Sequence, residues 1–290
     1  MYKWKEKVFP YVMLLPTVLI FGIFIFYPML SGMRTSLYSW DGINDPVFVG
    51  LQNYKNLIGD KYFWSSLRGT LFFTLLSVPI VYWVALALAL LLTKKVRCIG
   101  LFRSVFYWPT MISSIVIGLS WNYLLGNMGV LNYLIQSVTG STVKFLTNST
   151  WAMAVVVFVT VWSMAGYYMV MFVAGLNNID PTYYEAADID GATGFQQFRY
   201  ITMPLLKPTT LLVIILSMTT ILKTYPLVNS LTGGGPARAT KFIVQEIFET
   251  GFDESQMGYA CAMTVVLFVI ISALTLIQFK INQGGEQDAN

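Results

Sequence analysis

Side chains able to do chemistry are few in this sequence, and their types exclude most catalytic mechanisms. The chain contains no histidine, so it lacks the usual general base, the commonest metal ligand and any Ser-His or Cys-His nucleophile. Carboxylates are dense at one place only, between Glu185 and Asp190. Such a cluster could serve a membrane acyl or glycosyl transferase, so an enzyme is one hypothesis that the surrounding sequence must decide.

The two cysteines, Cys98 and Cys261, give no sign of a metal site or a disulfide. There is no Cys-x-x-Cys pair, and both lie beside or at the ends of apolar stretches, where small buried thiols are common. No Gly-x4-Gly-Lys-Ser/Thr phosphate loop occurs, so this chain is not itself a P-loop ATPase. The net charge of +4 is not gathered into a basic run, so nucleic acid is not an expected partner.

The elements that must position any site are membrane helices. Apolar residues make up 56% of the chain and charged residues 11%, whereas soluble domains carry about 25% charged residues. About 20 mostly apolar residues span the hydrocarbon core as a helix. The sequence predicts an all-α polytopic protein with six transmembrane helices, at residues 11–30, 69–92, 104–125, 151–174, 205–227 and 259–281.

These stretches contain neither Asp nor Glu. Proton-coupled carriers usually hold an acidic residue or histidine within the membrane. Ion coupling is therefore weakly supported, although sodium coupling through backbone carbonyls stays open. One charged side chain, Lys223, enters a stretch deeply enough to need explaining; it either reaches to the nearby outer interface or lines a polar cavity.

Loop charge predicts the orientation. Loops rich in Lys and Arg stay in the cytoplasm, and short loops count most. The short loop from Lys94 to Arg103 is strongly basic, which places both termini in the cytoplasm, with the first span uncleaved. The expected parts are a cytoplasmic N-terminus, a transmembrane region and a cytoplasmic tail at residues 1–10, 11–281 and 282–290, with long outer loops at 31–68 and 228–258.

The inner loop at residues 177–204 carries signals for two short helices separated by a turn. Asp180 can cap the first helix, with Pro181 at its first position. Gly191 permits a sharp reversal, where we expect a larger side chain to clash. Ala186 and its neighbour Ala187 leave a smooth surface for another chain. The loop therefore predicts a small helical plug for the cleft of a partner.

The same loop resembles the coupling loop of binding-protein-dependent ABC importer permeases. Its spacing is Glu-Ala-Ala, three residues, Gly, nine residues, Ile, two residues and Pro, with Met203 where Leu is usual. The matching residues are Glu185, Ala186, Ala187, Asp190, Gly191, Ile201 and Pro204. The resemblance implies the type I importer permease fold and a loop that docks into a groove of an ATP-hydrolysing subunit. It also accounts for the acidic cluster without an enzyme.

A second segment is similar to an outer segment of the permeases that serve maltose and glycerol-phosphate importers. It reads Leu231-Thr-Gly-Gly-Gly-Pro236, followed by Thr240 and by Gly258-Tyr-Ala260. The resemblance covers essentially the whole chain. It implies contact with a binding protein at Gly233, Gly234, Gly235 and Pro236.

The resemblance implies a transport subunit of a bacterial cell membrane and not an enzyme. The implied partners are a second homologous permease, two ATPase subunits, an extracytoplasmic sugar-binding protein and membrane lipid. ATP and Mg²⁺ would be bound by the ATPase, with no cofactor in this chain. The form Asp190-Gly191-Ala192 is common in carbohydrate-uptake permeases, so the implied substrate is a carbohydrate. A raffinose-type oligosaccharide, a sugar phosphate or a polyol are the options, and an ion-coupled secondary sugar carrier is the alternative transporter.

Polar and aromatic side chains at membrane depth are candidates for the substrate path, because hydroxyl-matching groups and aromatic faces hold sugars. The candidates are Trp121, Asn122, Tyr123, Trp162, Tyr167, Tyr168, Ser217, Thr220, Lys223, Thr224 and Tyr225. Ser217, Thr220 and Thr224 recur at helical spacing and are expected on one helix face. The resemblance places Tyr167 where an aromatic ring stacks on sugar. Roles in helix packing or at the membrane interface stay open for each of these residues.

Overall fold

Helices make up nearly all of the regular structure in the computed structural model, which describes residues 2–93 and 98–287. They are α1 (Tyr2–Phe21), α2 (Tyr27–Thr35), α3 (Gln52–Gly59), α4 (Lys61–Thr93), α5 (Ile99–Tyr107), α6 (Ser114–Leu125), α7 (Val130–Thr139), α8 (Ser149–Asn177), α9 (Thr182–Ile189), α10 (Gly194–Gln197), α11 (Met203–Leu205), α12 (Lys207–Leu222), α13 (Pro226–Thr232), α14 (Ile243–Phe248) and α15 (Met257–Gln287). Strands β1 (Tyr38–Ser39) and β2 (Val47–Phe48) form an antiparallel hairpin. The predicted all-α class is confirmed.

Six segments of the described chain are long and apolar enough to cross a membrane, if one bent pair counts as a single span. Five are single segments at Phe9–Thr35, Lys61–Thr93, Ser114–Thr139, Ser149–Asn177 and Met257–Lys280. The sixth is Gly194–Leu205 with Lys207–Leu222, bent by 67° at its break. The predicted number of spans is therefore confirmed. Parts of two other predictions lie outside the described residues, namely the inner basic loop at 94–97 and the tail at 288–290.

The third predicted stretch, residues 104–125, is not one continuous helix. Helix α5 ends at Tyr107, a 3₁₀ turn occupies Trp108–Met111, and α6 begins at Ser114. Proline has no amide hydrogen and its ring clashes with the preceding helical turn, so Pro109 accounts for the interruption. Ile112 then adopts an extended conformation, with φ −84° and ψ 140°. The predicted continuous helix is therefore replaced here by a non-helical connection that contains polar residues.

The fifth predicted stretch, residues 205–227, ends early. Helix α12 stops at Leu222, and α13 begins at Pro226. A residue that precedes proline is disfavoured in the α-helical region, and Tyr225 has φ −143° and ψ −59°. Thr224 therefore lies in the connection between two helices, and the prediction that it shares a helix face with Ser217 and Thr220 is wrong.

The described chain divides into two compact units. The first comprises Met1–Phe63 with Glu246–Ile270, and the second comprises Trp64–Gln245 with Ile271–Asn290. In the first unit, the Asn53 amide donates hydrogen bonds to the carbonyl oxygens of Ser36 and Tyr38, at 2.8 and 2.9 Å. These bonds attach α3 to the hairpin.

Helix α8 is the core of the second unit, with Tyr168, Met169 and Phe172 fully buried. Its Gly166 packs directly on α5, because a β-carbon there would lie 2.0 Å from the Phe106 carbonyl oxygen. Helices α6 and α13 also approach closely, since a β-carbon at Gly118 would lie 2.6 Å from the Leu227 oxygen. Two glycines thus permit the close approaches that bring the membrane helices together.

Candidate functional site

The coupling loop, residues 177–204, begins as the sequence predicts. The Asp180 carboxylate accepts a hydrogen bond from the backbone N–H of Thr182 at 2.9 Å. This bond holds the pKa of Asp180 below its usual value, because it stabilises the ionised form. Asp180 thus bonds to the first residue of the helix, but α9 begins at Thr182, one residue later than expected, and its N-cap position is Pro181.

The turn after α9 has the predicted reversal but for a different reason. Gly191 has φ +72°, a conformation that residues with a β-carbon adopt at a cost. A β-carbon at Gly191 would meet no atom within 4 Å, so the expected clash is wrong. Glycine is favoured here by backbone conformation, and the surrounding space is open.

The second half of the loop is tied back to the first. Thr193 and Gln196 form a capping box that starts α10. The Tyr184 hydroxyl pairs with the Thr202 hydroxyl at 2.9 Å, and Thr202 is buried. Ile201 is half-buried beside it. These contacts join the two halves of the loop into one defined structure.

The solvent-exposed residues of the coupling loop include both motif residues and two large apolar side chains. Ile189 is 87% exposed and Phe195 is 75% exposed. Glu185, Ala186, Asp190 and Pro204 are also exposed, and Ala187 is half-buried. Sequence reasoning missed the two apolar side chains, although they flank the Gly191 turn closely enough to have been noticed. Exposed apolar patches mark sites of interaction.

A cavity of about 460 Å³ opens between α5, α8 and α12 in the second unit. It brings together Tyr167 of α8 and Thr220 of α12, which were both predicted, with Tyr168 beside them. Its other polar lining residues are Tyr107, Thr110, Ser114 and Ser163. The predictions missed all four of these residues. For Thr110 and Ser114 the available signal was Pro109, which breaks the third stretch.

The polar groups of this cavity keep hydrogen-bonding capacity. The Tyr167 ring is half-exposed and meets the buried Tyr168 ring edge-on, at 5.1 Å between centroids. The Thr220 hydroxyl donates to the Leu216 carbonyl at 2.7 Å, so its oxygen can still accept a hydrogen bond. No charged side chain lines the cavity within the described part of the chain. The arrangement suits a neutral ligand with hydroxyl groups.

The other predicted path residues lie elsewhere. Ser217 is fully buried and donates to the Ile214 carbonyl at 3.1 Å. Trp121 packs edge-on against Phe158 and Trp162. The Asn122 amide donates to the Leu231 carbonyl at 2.7 Å, which joins α6 to the helix after the fifth span. Lys223 is exposed at the C-terminal end of α12, next to Thr224.

The predicted binding-protein segment forms a tight turn that bonds to itself. Gly233 and Gly234 have φ +59° and +83°. The buried Thr240 hydroxyl pairs with the Thr232 hydroxyl and donates to the Gly235 carbonyl, both at 2.7 Å. Gly233 is exposed, Gly235 and Pro236 are half-buried, and Gly234 is buried. A protein partner can therefore reach Gly233 but not Gly234.

Acidic residues and cysteines do not gather into a metal site. No group of three or more His, Cys, Asp or Glu side chains comes together among residues 2–93 and 98–287.

Known proteins are similar to this chain in sequence. A family model described as binding-protein-dependent transport system inner membrane component matches residues 63–284. The probable starch degradation products transport system permease protein AmyD of Thermoanaerobacterium thermosulfurigenes is 31% identical, over 97% of this chain and 96% of that protein. The sn-glycerol-3-phosphate transport system permease protein UgpA of Agrobacterium fabrum is 33% identical, over 95% and 94%.

Solved structures support the same fold. A crystal structure of a bacterial ABC transporter involved in the import of the acidic polysaccharide alginate superimposes with a TM-score of 0.85 at 22% identity, over 97% of this chain and 98% of that one. A second alginate transporter structure, in complex with its pentasaccharide-bound periplasmic protein, gives a TM-score of 0.79 at 23% identity, over 96% and 95%. With its spans, coupling loop and near full-length relatives, this chain belongs to the family of binding-protein-dependent transport system inner membrane components.

Proposed function

We propose that this chain is the transmembrane permease subunit of an ATP-driven importer that moves a neutral carbohydrate across the cell membrane. The observation that carries the proposal is the membrane cavity, which presents the Tyr167 ring and the Thr220 hydroxyl without a charged side chain. Aromatic faces and hydroxyl-matching groups in a mostly apolar cavity suit a sugar. Relatives named for starch degradation products support a saccharide substrate.

The coupling loop supports ATP hydrolysis by a partner subunit as the source of energy. Its exposed apolar pair, Ile189 and Phe195, gives an ATPase subunit a surface to bury. ATP and Mg²⁺ are held by that partner, and this chain supplies the pathway. The complete transporter contains a second homologous permease, two ATPase subunits and an extracytoplasmic binding protein. The transporter complexed with a periplasmic protein supports the last of these.

The test is import by the reconstituted complex. Proteoliposomes that contain the permeases and ATPase, with ATP inside and binding protein outside, should take up labelled maltotriose or raffinose without any ion gradient. Uptake that continues without ATP and collapses when a sodium or proton gradient is dissipated would instead identify a secondary carrier. Uptake of sn-glycerol 3-phosphate alone would reject the neutral carbohydrate.

The role of the membrane cavity predicts a kinetic change in two variants. Tyr167→Ala removes an aromatic face, and Thr220→Val removes a hydroxyl while keeping the side-chain shape. Loss of one buried hydrogen bond costs about 0.5–1.5 kcal/mol, so we expect the apparent affinity for sugar to fall several-fold. The measurement is uptake at saturating binding protein, with surface expression matched to the unmodified chain.

Thr219→Val is the matched control for the hydroxyl. Thr219 also donates to a backbone carbonyl, that of Ile215 at 2.8 Å, but it does not line the cavity. Its kinetics should match the unmodified chain. Equal kinetics in all three variants would assign Tyr167 and Thr220 to helix packing.

We also propose that both termini and the coupling loop lie in the cytoplasm. Cysteines are introduced singly at Gly194 in the coupling loop and at Ile43 in the first long outer loop, after Cys98→Ser and Cys261→Ala. Gly194 has open space around it, and Ile43 is 86% exposed. A membrane-impermeant thiol reagent added to intact cells should label only the cysteine at 43. Labelling of both from outside contradicts this topology.

A further inference from the structure

A second cavity, of about 370 Å³, lies in the first compact unit, away from the membrane cavity in sequence. Its walls come from Trp40 and Asp41 after the first hairpin strand, from Asn53 and Asn56 of α3, and from the N-terminal end of α15. These segments belong to the two long loops that the proposed topology places outside the membrane. Cavities of this size are typical of small-molecule sites.

A buried side chain with spare hydrogen-bonding capacity lines this cavity. Asn53 is only 7% exposed, and both hydrogens of its amide are used in bonds to the Ser36 and Tyr38 carbonyls. Its carbonyl oxygen accepts no hydrogen bond from the described residues. An amide has two acceptor lone pairs on that oxygen, so it can accept hydrogen bonds from a ligand. Asn53 thus presents a positioned acceptor to a ligand.

The neighbouring groups complete a mixed set of donors and acceptors. The Asn56 carbonyl oxygen accepts from the Gln52 amide at 2.8 Å, which leaves the two Asn56 amide hydrogens available. The Tyr259 hydroxyl donates to Asp60 at 2.7 Å, so its oxygen can still accept. Gln256 is exposed at the same wall and offers both functions. Hydroxyl groups, which donate and accept together, match such a set.

Charge argues against an ionic ligand. Asp41 is the one charged residue that lines the described cavity. Its carboxylate accepts hydrogen bonds from the backbone N–H groups of Ile43 and Asn44, at 2.9 and 2.8 Å. These bonds keep its pKa low, so the group stays ionised and repels anions. A divalent cation would find one carboxylate already committed to its own turn, whereas Ca²⁺ takes six to eight oxygen ligands.

An aromatic side chain stands beside these polar groups in a fixed position. The Trp40 indole donates to the Asn44 carbonyl at 2.7 Å, and the Trp40 carbonyl accepts from Gly258 N–H at 3.1 Å. We propose that this cavity is a second carbohydrate site, which holds one or two rings of a neutral saccharide at the outer face of the permease. The proposal rests on the carbohydrate import proposed above and on the orientation that accompanies it.

Direct binding tests the second site. The complex of permeases and ATPase is placed in nanodiscs without binding protein, and saturation-transfer NMR is recorded with maltotriose and with sn-glycerol 3-phosphate. The test variant combines Asn56→Leu with Gln256→Leu, because both side chains are exposed and their loss should not unfold the chain. The control is Asn127→Leu, an exposed Asn in the connection between α6 and α7.

Maltotriose should give a saturation-transfer signal, and sn-glycerol 3-phosphate should give none. The double variant should weaken maltotriose binding about threefold to tenfold for each lost hydrogen bond, and Asn127→Leu should leave it unchanged. Tyr167→Ala, in the membrane cavity, should retain the signal that depends on Asn56 and Gln256. That retention separates the two sites.

Two results overturn the second site. One is a maltotriose signal that is missing in the unmodified complex or unchanged in the double variant. The other is a double variant that keeps the signal but loses stimulation of the ATPase by binding protein, which would make the cavity a protein contact. Uptake by proteoliposomes is measured separately. If the binding test fails while uptake is ATP-driven, only the second site is rejected. If uptake is not ATP-driven, the proposed function is rejected.

Discussion

Ile189→Asp is expected to abolish ATP-driven import while the permease stays folded in the membrane. Ile189 is 87% exposed, so the substitution removes almost no contact within the chain. In the proposed complex this side chain is buried against an ATPase subunit. A carboxylate there would lose its water without gaining a partner, which costs several kcal/mol. Since 1.4 kcal/mol is a factor of ten, docking should weaken about a hundredfold or more.

Two measurements separate docking from folding. Co-purification with the ATPase and import by proteoliposomes should both be lost, whereas the thermal unfolding of the isolated permease should stay unchanged. Ile43→Asp is the matched control, because Ile43 is also a highly exposed isoleucine but lies outside the coupling loop and outside the membrane-spanning segments. Normal co-purification and import by Ile189→Asp would remove this face of the loop from the docking surface.

Gly166→Ala is expected to cause a large loss of stability, because the added methyl group meets the backbone of a neighbouring helix. The added carbon would lie 2.0 Å from the Phe106 oxygen, 2.7 Å from the Phe106 carbonyl carbon and 2.8 Å from the Tyr107 α-carbon. All three atoms belong to the backbone, so α5 and α8 must separate. Overpacking of this kind typically costs about 1–3 kcal/mol, occasionally more, and the required shift of a helix places this site at the upper end.

The measurement is thermal unfolding in detergent, followed by size-exclusion chromatography. Gly100→Ala is the matched control on α5, because a β-carbon there meets no atom within 4 Å. Alanine favours a helix over glycine by about 1 kcal/mol, so the control should unfold at the same or a higher temperature. Equal unfolding temperatures for both variants would contradict the close approach of α5 and α8. Separation of these helices should also disturb sugar transport, since Tyr107 and Tyr167 line the membrane cavity.

In the coupling loop, the features that depend on neighbouring residues were predicted correctly from the sequence. Asp180 bonds to the first N–H of α9, and Gly191 adopts the left-handed turn. Their residue types predict both features, because each depends on atoms only a few residues away. The expected clash at Gly191 was wrong, since it required knowledge of what lies around the turn. The roles of the motif residues in coupling stay predictions that the Ile189 experiment addresses from the same face.

In the membrane cavity, local sequence patterns did not predict which side chains line the wall. Ser217 and Thr220 were expected to share a face, yet Ser217 is buried in packing and Thr220 lines the cavity. Residues three apart on a helix point about 60° away from each other, and that difference decides which neighbour each side chain meets. The early end of α12 had a readable cause in Pro226, which excludes Thr224 from the same helix.

The sequence by itself determined the class of the protein, the number of its spans and the local shape of its coupling loop. Those properties follow from apolar length, capping residues and left-handed turns, which are local. Only the tertiary structure decided which hydroxyl groups face a cavity. That choice depends on the approach of α5 to Gly166, a contact between segments distant in the chain, and on the angle of the bend before α12. A single sequence records the residues that permit such contacts but not which partners they meet.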